Sequence, residues 1–184
     1  GQLPQPQPSQ IDFENTLSIA LMKLLAGDQS RVYLEDEGHL IGRLSLPERL
    51  RERMAVSPMA VVEQSLAERV EVIVEDYVLD LGRRFAAEHG ELGPGLHREK
   101  LQDDLGRIRK RLGGERYQRV SDIMAAAFGA QDESGDLALH RDWVTTLLEQ
   151  YYDPMYEYQL AQRGGEVVFR GSRDEVVAWT AGDA

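Results

Sequence analysis

LLEQYYDPMYEYQLAQRGGEVVFRG, residues 147 to 171, is the stretch on which the fold turns. A helical run through Leu147, Leu148, Tyr151 and Tyr152 meets Asp153-Pro154, and an internal proline removes a helix hydrogen bond. Asp is favoured just before a helix and Pro as its first residue, so the pair predicts a corner where one helix stops and PMYEYQLAQR starts at a new angle. Gly164-Gly165 then releases EVVFRG, a β-type run, and Ser172 with Glu175 forms the S-x-x-E pattern that opens a last helix. Two earlier β-type runs, residues 32–34 continued by HLIG, and PMAVVEQ, complete the strands. The class is therefore helix-rich α/β with few strands.

Working outward, the remaining segments read as helices. Ser9 precedes a run with Ile11, Phe13, Leu17, Leu21 and Leu24 near helical spacing, ended by Gly27. LPERLRERM is a short basic helix with Pro47 suited to its first turn. A long amphipathic helix places Val70, Val74, Tyr77, Val78, Leu81 and Phe85 on one face and ends at Gly90. Leu101, Leu105, Ile108 and Leu112 stripe the next helix to Gly113-Gly114, and Val120, Ile123, Met124, Ala127 and Phe128 face inward from its hairpin partner. QDESGD is a loop in which Asp136 caps the helix leading into the opening stretch.

Composition narrows the function classes. At 184 residues, 42% hydrophobic and 29% charged, the chain can build a core. It has no long apolar run and nothing resembling a signal peptide, so a cytoplasmic location and no membrane partner are expected. There is no cysteine, and His39, His89, His97 and His140 lack ligand spacing. The formal charge of -11 argues against indiscriminate nucleic-acid binding but leaves room for a local basic face. The opening GQLPQPQPSQ has a connector's composition, the trace of a removed tag or part of a longer protein.

Four groups of residues are candidates for chemistry. Glu35, Asp36 and Glu37 follow an apolar run, where carboxylates hold magnesium or orient a hydroxyl, or simply form a solvated turn. Arg49, Arg51 and Arg53, with Arg43 before them and Arg69 after the second strand, suit phosphate oxygens or surface ion pairs. Arg107, Arg109, Lys110, Arg111, Arg116 and Arg119 crowd into 13 residues, an RNA-backbone footprint or a face neutralised by Asp103, Asp104 and Glu115. Tyr151, Tyr152, Tyr156 and Tyr158 stack bases, line an apolar pocket or pack a helix corner, and helical spacing leaves at least one accessible. No GxxxxGK[ST] occurs, so no nucleotide-cradling loop comes from this chain.

Read in order, QPQPSQIDFEN, VYLEDEGHLIG, LPERLRERM, AVVEQSLAERV, IRKRLGGERY, LLEQYYDPMYEYQL and VVFRG resemble the C-terminal half of the tRNA 2-selenouridine synthase family. The resemblance implies a transferase with a rhodanese-like domain carrying a catalytic cysteine, then a P-loop domain. Such an enzyme replaces the sulfur of a wobble 2-thiouridine with selenium from selenophosphate, and also transfers a geranyl group to that sulfur from geranyl diphosphate. The cysteine and the phosphate loop both precede the matching segment. Residues 1–92 are then the rear part of the P-loop-type domain, with a partial P-loop-type parallel sheet, and 93–184 a mostly helical C-terminal region with a short strand near 166–170. Neither catalytic centre is complete, no cofactor is held by this chain beyond magnesium at the acids, and the chain alone is expected to be inactive. The implied partners are the anticodon region of tRNA and the absent rhodanese and P-loop segment. The alternative is a non-catalytic helical RNA-binding or adaptor module.

Overall fold

A computed structural model describes residues 7–27, 31–36, 38 and 40–182. In chain order its elements are α1 (Gln10–Leu25), β1 (Leu40–Ile41), β2 (Leu44–Ser45), α2 (Glu48–Val56), β3 (Met59–Val62), α3 (Leu66–Ile73), α4 (Leu81–His89), α5 (Gly93–Leu112), α6 (Gly114–Ser134), α7 (Ala138–Leu147), α8 (Asp153–Ala161), β4 (Val167–Gly171) and α9 (Arg173–Gly182). π-Helical stretches, Val74–Asp80 and Leu148–Tyr152, join α3 to α4 and α7 to α8. The chain divides into two compact units: residues 65–161, and residues 7–64 together with 162–182. β4 returns to pair with β3, so the C-terminal residues fall in the unit of residues 7–64. Helix-rich α/β is the class observed. Among the described residues no helix is long and apolar enough to cross a membrane.

The sheet unit is small. β3 and β4 pair in parallel, Ala60 opposite Phe169 and Val62 opposite Gly171, with an irregularity after Met59. Gly165 must lack a side chain, since a Cβ there would lie 2.0 Å from the Ser57 carbonyl oxygen. Ser9 caps α1 by accepting from the Asp12 N–H, and Ser172 and Glu175 form the expected reciprocal cap on α9. Trp179 of α9 stacks on Phe169 at 5.1 Å and meets Tyr33 edge-on. The expected strand over 32–34 does not form: residues 31–36 have no regular structure, and Tyr33 and Leu34 stay exposed. Three residues running into acids give a pleat too short to bury a face.

The helical unit follows its sequence pattern more closely. Ser65 and Glu68 make a capping box at α3. Val70, Val74, Val78, Leu81 and Phe85 are buried against Leu101, Leu105 and Leu112 of α5 and Val120, Met124, Ala127 and Phe128 of α6. Gly113, with φ 91° and ψ 149°, turns α5 into α6 in a conformation that side chains disfavour. α6 absorbs residues 131–134, expected as loop, and Asp136, one residue before the N-cap Leu137, accepts from the Ala138 N–H at the start of α7. Two histidines complete the core. His97 shares a 2.7 Å hydrogen bond with the Tyr77 carbonyl, and His140 is wholly buried between Gln131 and Trp143.

The helix stop expected at Asp153-Pro154 is absent. Asp153 has helical angles, φ -60° and ψ -50°, and its N–H donates to the Leu148 carbonyl five residues back. The widened π turn accommodates the proline by shifting the hydrogen-bond ladder, so the chain stays helical through it.

Candidate functional site

The helical unit contains an apolar cavity of about 320 Å³. Its floor is Met124, Trp143 and Val144, all nearly inaccessible, and its walls include Ile73, Leu101, Leu105, Ile108 and Leu147. Tyr77 from the first π stretch and Leu148 and Tyr152 from the second also line it, so both irregular turns face the same space. The volume lies at the lower end of the range of about 300–1,000 Å³ typical of small-ligand sites.

A few polar groups sit in this lining. Arg69 grips Asp153 with both guanidinium nitrogens, Nη1 to Oδ1 at 2.5 Å and Nη2 to Oδ2 at 2.8 Å. These bonds hold the Asp153 carboxyl below the usual carboxylate range and raise the arginine. Asp104 is bonded to Lys100 and, at 2.8 Å, to Arg107. Every charge in the lining thus has a counter-ion. Among the described residues the Arg69 Nε, itself inaccessible, has no acceptor. Burial pushes the Tyr152 phenol up, so its hydroxyl stays protonated.

The four clustered tyrosines separate. Tyr152 and Tyr156, one helical turn apart, line the cavity with rings 6.4 Å apart and inclined by 22°. Tyr151 packs edge-on against Tyr152 at the margin of the core, while Tyr158 points away and is 67% exposed. Tyr156 is 60% exposed, so two of the four are accessible.

The basic run lies on α5 and α6, next to the cavity. Arg107, Arg109, Lys110, Arg111, Arg116 and Arg119 are all exposed. Among the described residues only Arg107 has an acidic partner, Asp104, and neither Asp103 nor Glu115 forms an ion pair with the cluster. Arg109 lies over the Tyr117 ring, 4.9 Å from its centroid. Helical spacing puts Arg107 and Arg111 on one ridge, beside the face that carries Asp104 and Ile108 into the cavity. An open depression formed by Gly106, Arg107, Arg109, Lys110, Gly113 and Gly114 leaves bare backbone between cations.

The front residues are dispersed. Asp36 accepts from Arg163, Nε to Oδ2 at 2.8 Å, a partner that sequence reading missed; Glu35 is exposed, and Glu37 lies outside the described residues. Arg49, Arg51 and Arg53 are exposed on α2, with Arg51 turned away from the other two. No ion pair joins them to Glu35 or Asp36 among the described residues, and Arg69 belongs to the other unit. Among the described residues no group of three or more His, Asp or Glu is placed to hold a metal ion, so no step is derived through magnesium. Trp143, Tyr77 and Asp104 went unnoticed as site residues, because tertiary packing alone brings them together.

Against known proteins, the model of the tRNA 2-selenouridine synthase AAA domain matches residues 1–184. The chain belongs to this family. Proteins named tRNA 2-selenouridine synthase share 46% identity over 180 residues in Marinobacter nauticus and 45% over 180 residues in Azotobacter vinelandii, covering 97% of this chain and 49% of each relative. The Alcanivorax borkumensis relative is 43% identical over 185 residues. The chain spans about half the length of the curated relatives it matches. No solved structure matches it.

Proposed function

We propose that the chain is the C-terminal part of a tRNA-modifying transferase that converts wobble 2-thiouridine to 2-selenouridine with selenophosphate and S-geranylates the same base from geranyl diphosphate. Its contribution is binding, and alone it is inactive. The supporting observation is the basic cluster on α5 and α6: five exposed cations without acidic partners among the described residues, on a chain of net charge -11. Such a surface suits backbone phosphates and is hard to account for as internal charge balance. The cavity beside it receives the base or the prenyl chain. Arg49, Arg51 and Arg53 serve the diphosphate, with Glu35 and Asp36 orienting the substrate.

The test is tRNA binding as a function of salt. Lys110→Glu with Arg111→Glu removes two exposed cations that make no side-chain hydrogen bond or ion pair among the described residues. Affinity should fall and the slope of log K against log salt should flatten by roughly one unit per lost phosphate contact. An unchanged slope places the RNA surface elsewhere.

A further inference from the structure

We infer that the tyrosine-lined cavity takes one unstacked base of the RNA whose phosphates lie along the α5 ridge. The inference rests on the reading of that ridge as an RNA surface, and three observations carry it. First, cavity and ridge lie on adjacent faces of one helix. Asp104 and Ile108 face the cavity, while Arg107 and Arg111 line the ridge and Arg107 is bonded to Asp104 across the boundary. Residues 104–111 span only about 10 Å of helix axis, so a strand held on the ridge has the cavity mouth beside it.

Second, the charges select a neutral occupant. Arg69 is committed to Asp153, and Asp104 to Lys100 and Arg107, so a free diphosphate meets no unpaired cation in the lining and has two carboxylates nearby. A neutral ring joined to a phosphate already held outside meets no such opposition.

Third, the mouth is aromatic. Tyr152 and Tyr156 present two rings inclined by only 22°, Tyr156 largely exposed and Tyr152 inside, and unpaired bases stack on such faces.

Trp143 lies in the cavity floor and Trp179 in the sheet unit, so Trp179→Phe leaves a single emitter in the site. The full chain carrying that change is titrated with an RNA hairpin and with the same hairpin made abasic across its loop. The hairpin should change Trp143 emission and bind roughly tenfold or more tightly than its abasic form. Tyr156→Ala, at an exposed position, and Ile73→Phe, which fills the cavity, should each lower hairpin affinity to the abasic level and leave the abasic affinity and salt slope unchanged. Equal binding of the two RNAs by the parent, or a difference that survives both variants, overturns the assignment. A matching emission change with geranyl diphosphate alone reassigns the cavity to the free donor. If neither RNA binds in a salt-dependent way, the reading of the ridge fails, and this one with it.

Discussion

Replacing His140 with Gln should flatten the acid sensitivity of the helical unit. Trp143 Nε1 donates to His140 Nδ1 at 3.0 Å, so the ring proton is on Nε2, which meets Gln131 Oε1 at 3.0 Å. The neutral ring satisfies both partners, and burial lowers its pKa from 6.5 to about 4, with the nearby His97 a smaller contribution. A folded-state value below the unfolded one means that the unfolded chain binds the extra proton between these limits. Stability is therefore intact above pH 6.5, falls as the pH drops below it, and levels off below about 4. The gap amounts to about 3 kcal/mol in full, of which roughly 2 kcal/mol is lost between pH 7 and pH 5. Urea titrations followed by Trp143 emission in the Trp179→Phe background, at pH 7 and pH 5, measure this loss. His140→Gln should be less stable at pH 7 yet lose much less on acidification. An equal loss in variant and parent would refute the buried, neutral imidazole as its source.

Arg69→Gln leaves Asp153 in a partly buried position without its counter-ion and should cost roughly 1–3 kcal/mol, between the limits for exposed and buried pairs. Because the Asp153 carboxyl is held low, that contribution is present at neutral pH and lost as the pH falls through its folded-state value, which an acid titration of parent and variant would compare. Gly165→Ala would push a methyl into the Ser57 carbonyl and should unseat β4, changing the emission of Trp179 while leaving Trp143 unaffected. Gly93→Ala meets the backbone of Phe85 at 2.5 Å where α5 starts against α4, so thermal unfolding of the helical unit should show a loss of roughly 1–3 kcal/mol.

The apolar stripes were legible because they are local. Val70, Val74, Val78, Leu81 and Phe85, then Leu101, Leu105 and Leu112, recur at helical spacing and are buried as that spacing predicts. Six cations in 13 residues also announce themselves in any fold. Asp153-Pro154 misled because its residue types satisfy two incompatible rules, a helix start and a continuing helix with a π turn, and local propensity does not rank them. The run over 32–34 misled because strand propensity is only realised against a neighbour. The cavity has no sequence signature. Its residues come from α3 to α8, and Arg69 finds Asp153 across 84 positions, a pairing that no spacing rule anticipates.

The Arg69–Asp153 bond also bears on the order in which the chain assembles. The contact from Glu63 to Arg170 at the sheet's end joins residues 107 positions apart, a long loop to close from an open chain. The bond joins the first turn of α3 to the first turn of α8 and spans 84 of those positions, leaving 23 to be ordered. By the logarithmic cost of loop closure this eases strand pairing by about 1 kcal/mol. The helices are thus expected to fold first and, by drawing their own ends together, to deliver β4 to β3. Refolding of Arg69→Gln should show Trp179 lagging further behind Trp143 than in the parent.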